Sequence, residues 1–177
     1  MTKFSEIAHH YLGTGLQATY TDTFGETVVG TLDGVDTRYQ RVHVDGCITY
    51  NCMPHLRSLH KLTQPIRVEG EEPFVPIERL YDLCMEEPFS RMPHTNQTFV
   101  NGLKERCYEI ELDGGMGWFR YNEAKQFFSR YGAQDFVYNQ FALFQQLLSW
   151  HFNLFSVPEG EFIEIEETTN TPEAGEK

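Results

Sequence analysis

The sequence predicts an α+β fold, and three observations carry that prediction. Residues 12–68 contain short segments rich in Val, Thr and Tyr, separated by turn-formers. Residues 107–112 and 118–121 flank Asp113-Gly114-Gly115-Met116-Gly117, a hairpin signal because glycine accepts positive φ. Residues 136–155 (FVYNQFALFQQLLSWHFNLF) are aromatic, nearly free of charge, and place apolar side chains at helical spacing. The expected architecture is an N-terminal SH3-like small barrel or meander, packed with a C-terminal α+β portion that contains the hairpin and the long aromatic helix.

The elements follow in chain order. Thr2 can cap a short helix in which Phe4, Ile7 and Tyr11 share one face, and Gly13 stops it. Segments 16–21, 26–32 and 39–44 read as strands, with turns at Phe24-Gly25 and Asp33-Gly34, and 47–51 reads as a fourth strand. Leu56, Leu59 and Leu62 supply an apolar return before Pro65. Beyond the linker-like Glu69-Gly70-Glu71-Glu72-Pro73, Pro76 suits a first helical turn that aligns Ile77, Leu80, Tyr81 and Cys84. Residues 85–101 lack periodicity and are expected to form a long loop. Asn122 is expected to cap a helix running to Tyr131, and Asp135 to cap the main helix. After Pro158-Glu159-Gly160, residues 161–167 alternate apolar side chains with Glu in the manner of an edge strand. The division expected is 1–68 for the SH3-like module with its helix, 69–167 for the α+β portion, and 168–177 for a disordered tail.

Composition limits the function. A chain of 177 residues with 40% hydrophobic and 14% aromatic residues can bury a sizeable core, and its rings dominate that core. Its net charge of −12 and the lack of any basic cluster argue against direct nucleic-acid binding, which depends on Lys and Arg at phosphates. Seven Glu and one Lys fall within 159–177, so the acidity is concentrated in a C-terminal segment read as solvated. No window approaches the ~20 apolar residues of a membrane span, and the N-terminus carries no apolar leader region. A cytoplasmic setting is therefore expected, with Cys47, Cys52, Cys84 and Cys107 as free thiols.

Candidate chemistry is sparse. His43, Cys47, Cys52, His55 and His60 offer five potential zinc ligands within eighteen residues, but the spacing H-x3-C-x4-C-x2-H-x4-H lacks a C-x2-C knuckle. No metal and no cofactor is assigned, with His43, Cys47, Cys52 and His55 as the set to watch. Gly13-Thr14-Gly15-Leu16-Gln17-Ala18 fits a dinucleotide fingerprint, but a helix precedes it and a strand follows, the reverse of what pyrophosphate binding needs. No G-x-S-x-G nucleophile turn occurs, and no catalytic residue is assigned. Trp150 reads as core and His151 as a helix-edge residue. The candidate interaction residues are Met116 and Trp118 at the glycine-rich hairpin, and Glu161 and Glu164 on the acidic edge strand.

Three segments also carry a family resemblance. HYLGTGLQATY (10–20), HLRSLHKLTQPIRVEGEEPFVPIERLYDL (55–83) and FQQLLSWHFNLFSVPEGEFIEIEE (144–167) resemble a family of small proteins encoded by Bacteroidetes bacteria and by their prophages and phages. The matching features are Tyr11-Leu12 with Gly15-Leu16, the run from Arg57 to Ile77, and Leu148 to Phe155. The run departs from the family pattern at Glu72-Pro73. No activity is established for the family, so the resemblance implies a genomic setting and no mechanism. The function expected is that of a phage- or mobile-element-associated accessory protein, not an enzyme, acting by binding another protein. Alternatives are a metal-binding protein or metal-dependent enzyme using the His/Cys set, and an acidic inhibitor of a nucleic-acid-binding host defence protein.

Overall fold

The computed structural model describes residues 3–84, 91–100, 103–122, 127–132, 134–137 and 139–167. Among these residues, two sheets and three short α-helices make up an α+β fold. The first sheet contains β1 (Gln17–Thr21), β2 (Thr27–Asp36), β3 (Arg41–Val44), β4 (Cys47–Thr49), β5 (Cys52–Leu56) and β11 (Ile163–Glu164), in the order β11-β5-β1-β2-β3-β4. β6 (Arg91–Val100), β7 (Leu103–Leu112), β8 (Gly117–Asn122), β9 (Phe127–Tyr131) and β10 (Gln134–Val137) build the second as an uninterrupted antiparallel meander. The helices are α1 (Phe4–Ile7), α2 (Pro76–Asp82) and α3 (Gln140–Ser149).

The N-terminal half follows the sequence closely. α1 continues into a 3-10 turn over Ala8–Tyr11, and Phe4, Ile7 and Tyr11 are all buried on the face that their spacing implies. Thr2, the expected cap, lies outside the described residues. Alternation sorts β1, with Ala18 and Tyr20 facing inward and Gln17 and Thr21 outward. The expected turn at Asp33-Gly34 is instead a bulge within β2, between Leu32 and Gly34. The reversal falls over residues 37–40, where Asp36 Oδ1 accepts from the Tyr39 N–H at 3.2 Å and Gln40 takes φ 51°. Pro76 occupies the first turn of α2, whose Ile77, Leu80 and Tyr81 are buried.

No hydrogen bonding closes either sheet, so the barrel expected from the sequence is an open sheet among the described pairings. The first sheet is nevertheless strongly curved. β4 and β5 stand four places apart in the strand order, about 19 Å on a flat sheet at ~4.8 Å per strand. Only Tyr50 and Asn51 connect them, and the three steps from Thr49 to Cys52 span at most about 11 Å. The sheet must therefore curl, and it brings Cys47 on β4 close enough to Tyr20 on β1 to raise that hydroxyl above its ordinary range.

Downstream, three expectations are corrected. The helix placed at 136–155 is only α3, Gln140–Ser149, capped by Asn139, whose side chain accepts from the Ala142 N–H at 3.3 Å. Asp135 and Phe136 lie in β10, opposite Arg130 and Ser129. After Ser149 the chain leaves the helix at Trp150, His151 takes φ 60°, and Phe152 bridges to Arg57. The helix expected from Asn122 to Tyr131 is replaced by β9, with 123–126 outside the described residues. In the segment expected to be a loop, 91–100 is β6, paired with β7 from Arg91↔Leu112 to Val100↔Leu103; 85–90 and 101 are outside the described residues. The expected tail, 168–177, is also outside them.

One hydrophobic cluster includes both sheets and all three helices, from Phe4 and Leu16 through Ile77, Phe119 and Phe127 to Leu147 and Val157. The Tyr11 hydroxyl donates to the Phe152 carbonyl at 2.7 Å, tying the N-terminal helix to the segment that follows α3. That segment then adds β11 to β5 in parallel, with Ile163 opposite His55 and Glu164 opposite Leu56.

Candidate functional site

The curl of the first sheet opens a groove of about 750 Å³ between α1, β1, β5 and the end of the β2–β3 connection. Phe4, Tyr20, Tyr39, Val42, Tyr50 and Met53 give its walls their aromatic and apolar surface, between polar side chains such as Thr19, Thr27 and Gln40. Tyr20 is buried, but Tyr50 is 66% exposed, Tyr39 54% and Met53 37%. Open rings gathered into one patch are the kind of surface that marks a contact site. Tyr39 is held by two cations, with the Arg41 guanidinium 4.7 Å and that of Arg38 5.3 Å from its ring centroid. Arg41 also pairs with Asp36 at 2.8 Å, and that hydrogen bond holds the Asp36 carboxyl below its ordinary range. Arg38 has no carboxylate partner among the described residues. Proximity to Cys47 raises the Tyr20 hydroxyl, so it stays protonated and able to donate.

The four positions of the His/Cys set are dispersed over the first sheet. His43 lies on β3, Cys47 is exposed on β4, and Cys52 lies on β5 opposite Tyr20. His55, also on β5, shares a 2.8 Å hydrogen bond between its Nε2 and Thr19 Oγ1. Among the described residues no group of three or more His, Cys, Asp or Glu is placed to hold a metal. The four cysteines are free thiols. Burial pushes the thiols of Cys52 and Cys84 up to about 11, which at pH 8 leaves about one molecule in a thousand as thiolate. Iodoacetamide at pH 8 should therefore label Cys47 first and Cys52 and Cys84 far more slowly. Peptide mass spectrometry over a time course checks the order, and equal rates would contradict the packing of β5 and of the turn after α2.

The interaction candidates fare unequally. Met116 is 60% exposed at the β7–β8 turn. Trp118 is half-buried, with the Arg120 guanidinium 4.1 Å and that of Arg130 6.0 Å from its ring. Arg120 also pairs with the buried Glu109, so this face of β8 is an internal ladder as much as a surface. Glu161 is exposed on the groove wall. The solvated acidic face expected at 161–167 is not what forms. Glu164 accepts from the Ser58 N–H at 3.0 Å and from the Ser58 hydroxyl. Glu167 accepts from Arg57 Nε at 2.7 Å and from the Arg67 N–H at 2.6 Å. These carboxylates stitch the C-terminal segment to the body of the protein. Groove residues Tyr39 and Tyr50 were missed in the sequence because each flanks a short strand, and only the curl brings them together.

Three histidines share a direction of shift. Burial lowers His55, burial and the neighbouring His9 lower His10, and burial outweighs the Thr14 carbonyl contact to lower His151. His151 Nε2 lies 2.9 Å from that carbonyl oxygen. Each ring binds a proton less readily in the folded chain than in the unfolded chain, where the value is near 6.5. The unfolded state therefore carries more protons below about pH 6.5, and stability intact above that value is lost as pH falls toward the folded values. Urea midpoints should drop between pH 7.5 and 5.5, with a shallower drop in His151→Asn, a residue that tolerates the left-handed backbone. A flat or rising profile would overturn the assignment.

In comparisons with known proteins, no family model, curated protein or solved structure matches the chain. No helix among the described residues is long and apolar enough to cross a membrane.

Proposed function

We propose that this chain is a protein-binding accessory module that holds an extended segment of another protein in the tyrosine-lined groove. The observation that carries the reading is the pair of rings, Tyr39 and Tyr50, more than half exposed at the mouth of a 750 Å³ groove. Rings of this kind recur where extended apolar or proline-containing segments dock, because they offer a large contact area at small entropic cost. Arg38, lacking a carboxylate partner among the described residues, favours a segment with an acidic side chain beside its apolar part. The curled sheet is compatible with an SH3-like arrangement, and a phage or mobile-element setting for such a module is what the sequence resemblance implies. In this reading the groove replaces the hairpin and the acidic strand as the principal interaction surface.

The test is site-specific crosslinking. A photoreactive amino acid at position 50 should capture a partner from the native bacterial lysate, and capture should be lost with Tyr39→Ala and retained with Met116→Ala. Capture that ignores Tyr39→Ala, or that follows Met116→Ala, would move the interface to the hairpin and sink the groove reading.

A further inference from the structure

A second cavity, of about 790 Å³, lies where the C-terminal segment crosses between the 3-10 turn Leu59–Thr63 and β7 of the second sheet. Such a volume between packed elements is the usual size and place for a small-ligand site. Its walls carry opposite charges. Arg106 projects from β7, and Glu159 lies in the turn before β11. Neither side chain has a hydrogen bond or ion pair with a described residue. Leu59, Tyr108 and Phe162 supply apolar surface to the same cavity.

The walls are also braced. Glu164 is held by Ser58, and the Asn153 side chain both accepts from the Val157 N–H at 2.9 Å and donates to the Val157 carbonyl at 2.8 Å. Ser156, on the wall, is kept at φ 56°, a left-handed conformation that a non-glycine residue adopts only when its surroundings impose it. A cation and an anion without partners among the described residues, with rings in the same cavity, complement a ligand that carries both charges and an apolar body.

We propose that this cleft binds a short apolar peptide by its two free ends, the carboxylate accepting from the Arg106 guanidinium and the ammonium donating to the Glu159 carboxylate. A planar guanidinium can make two parallel hydrogen bonds to a carboxylate. The cleft shares Gly160 with the tyrosine groove but not Tyr39, so Tyr39→Ala serves as a variant that leaves its lining intact.

Calorimetric titration of the full chain with leucyl-phenylalanine and phenylalanyl-leucine tests the proposal. At least one should bind saturably, and N-acetylation or C-terminal amidation should each weaken it tenfold or more, as expected for losing a charge-assisted contact. Arg106→Gln should reproduce the effect of amidation and become indifferent to it, while Glu159→Gln should do the same for N-acetylation. Both positions are exposed, so thermal melts should match the wild type; if they do not, the blocked peptides on the wild-type chain still decide. Absence of saturable binding by both free dipeptides at millimolar concentration, or equal affinity for free and blocked forms, would overturn it.

Discussion

Arg57→Ala should lower the free energy of unfolding by about 3–5 kcal/mol, the cost of breaking a buried ion pair and leaving its partners unpaired. Arg57 is 6% exposed and its guanidinium serves three separate parts of the chain. Nε donates to Glu167 at 2.7 Å, Nη1 to the Trp150 carbonyl at 2.7 Å, and Nη2 to the Arg67 carbonyl at 2.6 Å. Its backbone adds two more ties, donating to the His151 carbonyl and accepting from the Asn153 N–H, each at 2.8 Å. Removing the side chain would strand two carbonyls and leave the Glu167 carboxylate with only the Arg67 N–H, in a place with little water. Arg57→Lys should recover only part of the loss, because one ammonium cannot present three donors in the geometry of a planar fork. Chemical denaturation of both variants measures the effect. A loss below about 1 kcal/mol for Arg57→Ala, the range of an exposed pair, would show that the C-terminal segment is not anchored here.

Phe119→Ala should be comparably damaging, at about 3–5 kcal/mol, because it leaves a ring-sized cavity where the second sheet meets α2. The ring is fully buried on the central strand β8, 5.5 Å edge-on from Tyr81 and 5.9 Å from Phe127 in a stacked arrangement. Both partners are themselves buried, so the surroundings have little freedom to collapse into the void. Phe141 is the internal comparison. It belongs to the stretch that the sequence marks as most hydrophobic, but at 72% exposure on α3 its replacement by alanine should change stability by no more than about 0.5 kcal/mol. Denaturation of the two variants side by side tests the contrast. Similar losses at both positions would mean that α3 is covered by a second copy or a partner in solution.

Much of the local structure is legible in the residues. Strands β1 to β4 follow from their composition and spacing, and the β7–β8 hairpin follows from the glycines, with Asp113, Gly114 and Gly115 all at positive φ. The burial of Phe4, Ile7 and Tyr11 in the N-terminal helix follows from their three- and four-residue separations. Residues 136–155 misled for a physical reason. A segment apolar on every side satisfies a helical and an extended pattern equally well, so composition could not show that 134–137 pairs with β9 while 140–149 coils. β6 was illegible for the opposite reason: Pro93 and the polar run from His94 to Gln97 carry little strand preference, and its conformation comes from ten backbone pairings with β7.

The candidate sites divide in the same way. By itself the sequence determined the α+β class, the meander, the hairpin and the aromatic character of the core, because each depends on the periodicity and turn preferences of neighbouring residues. Only the tertiary structure decided that the four His and Cys positions stay dispersed on their sheet while Tyr20, Tyr39 and Tyr50 meet at one groove. It likewise decided that Glu164 and Glu167 turn inward to Ser58 and Arg57. These pairings span as many as 110 residues, a separation at which no local preference acts, and they form because burying both sheets in one core brings the charges close enough to need each other.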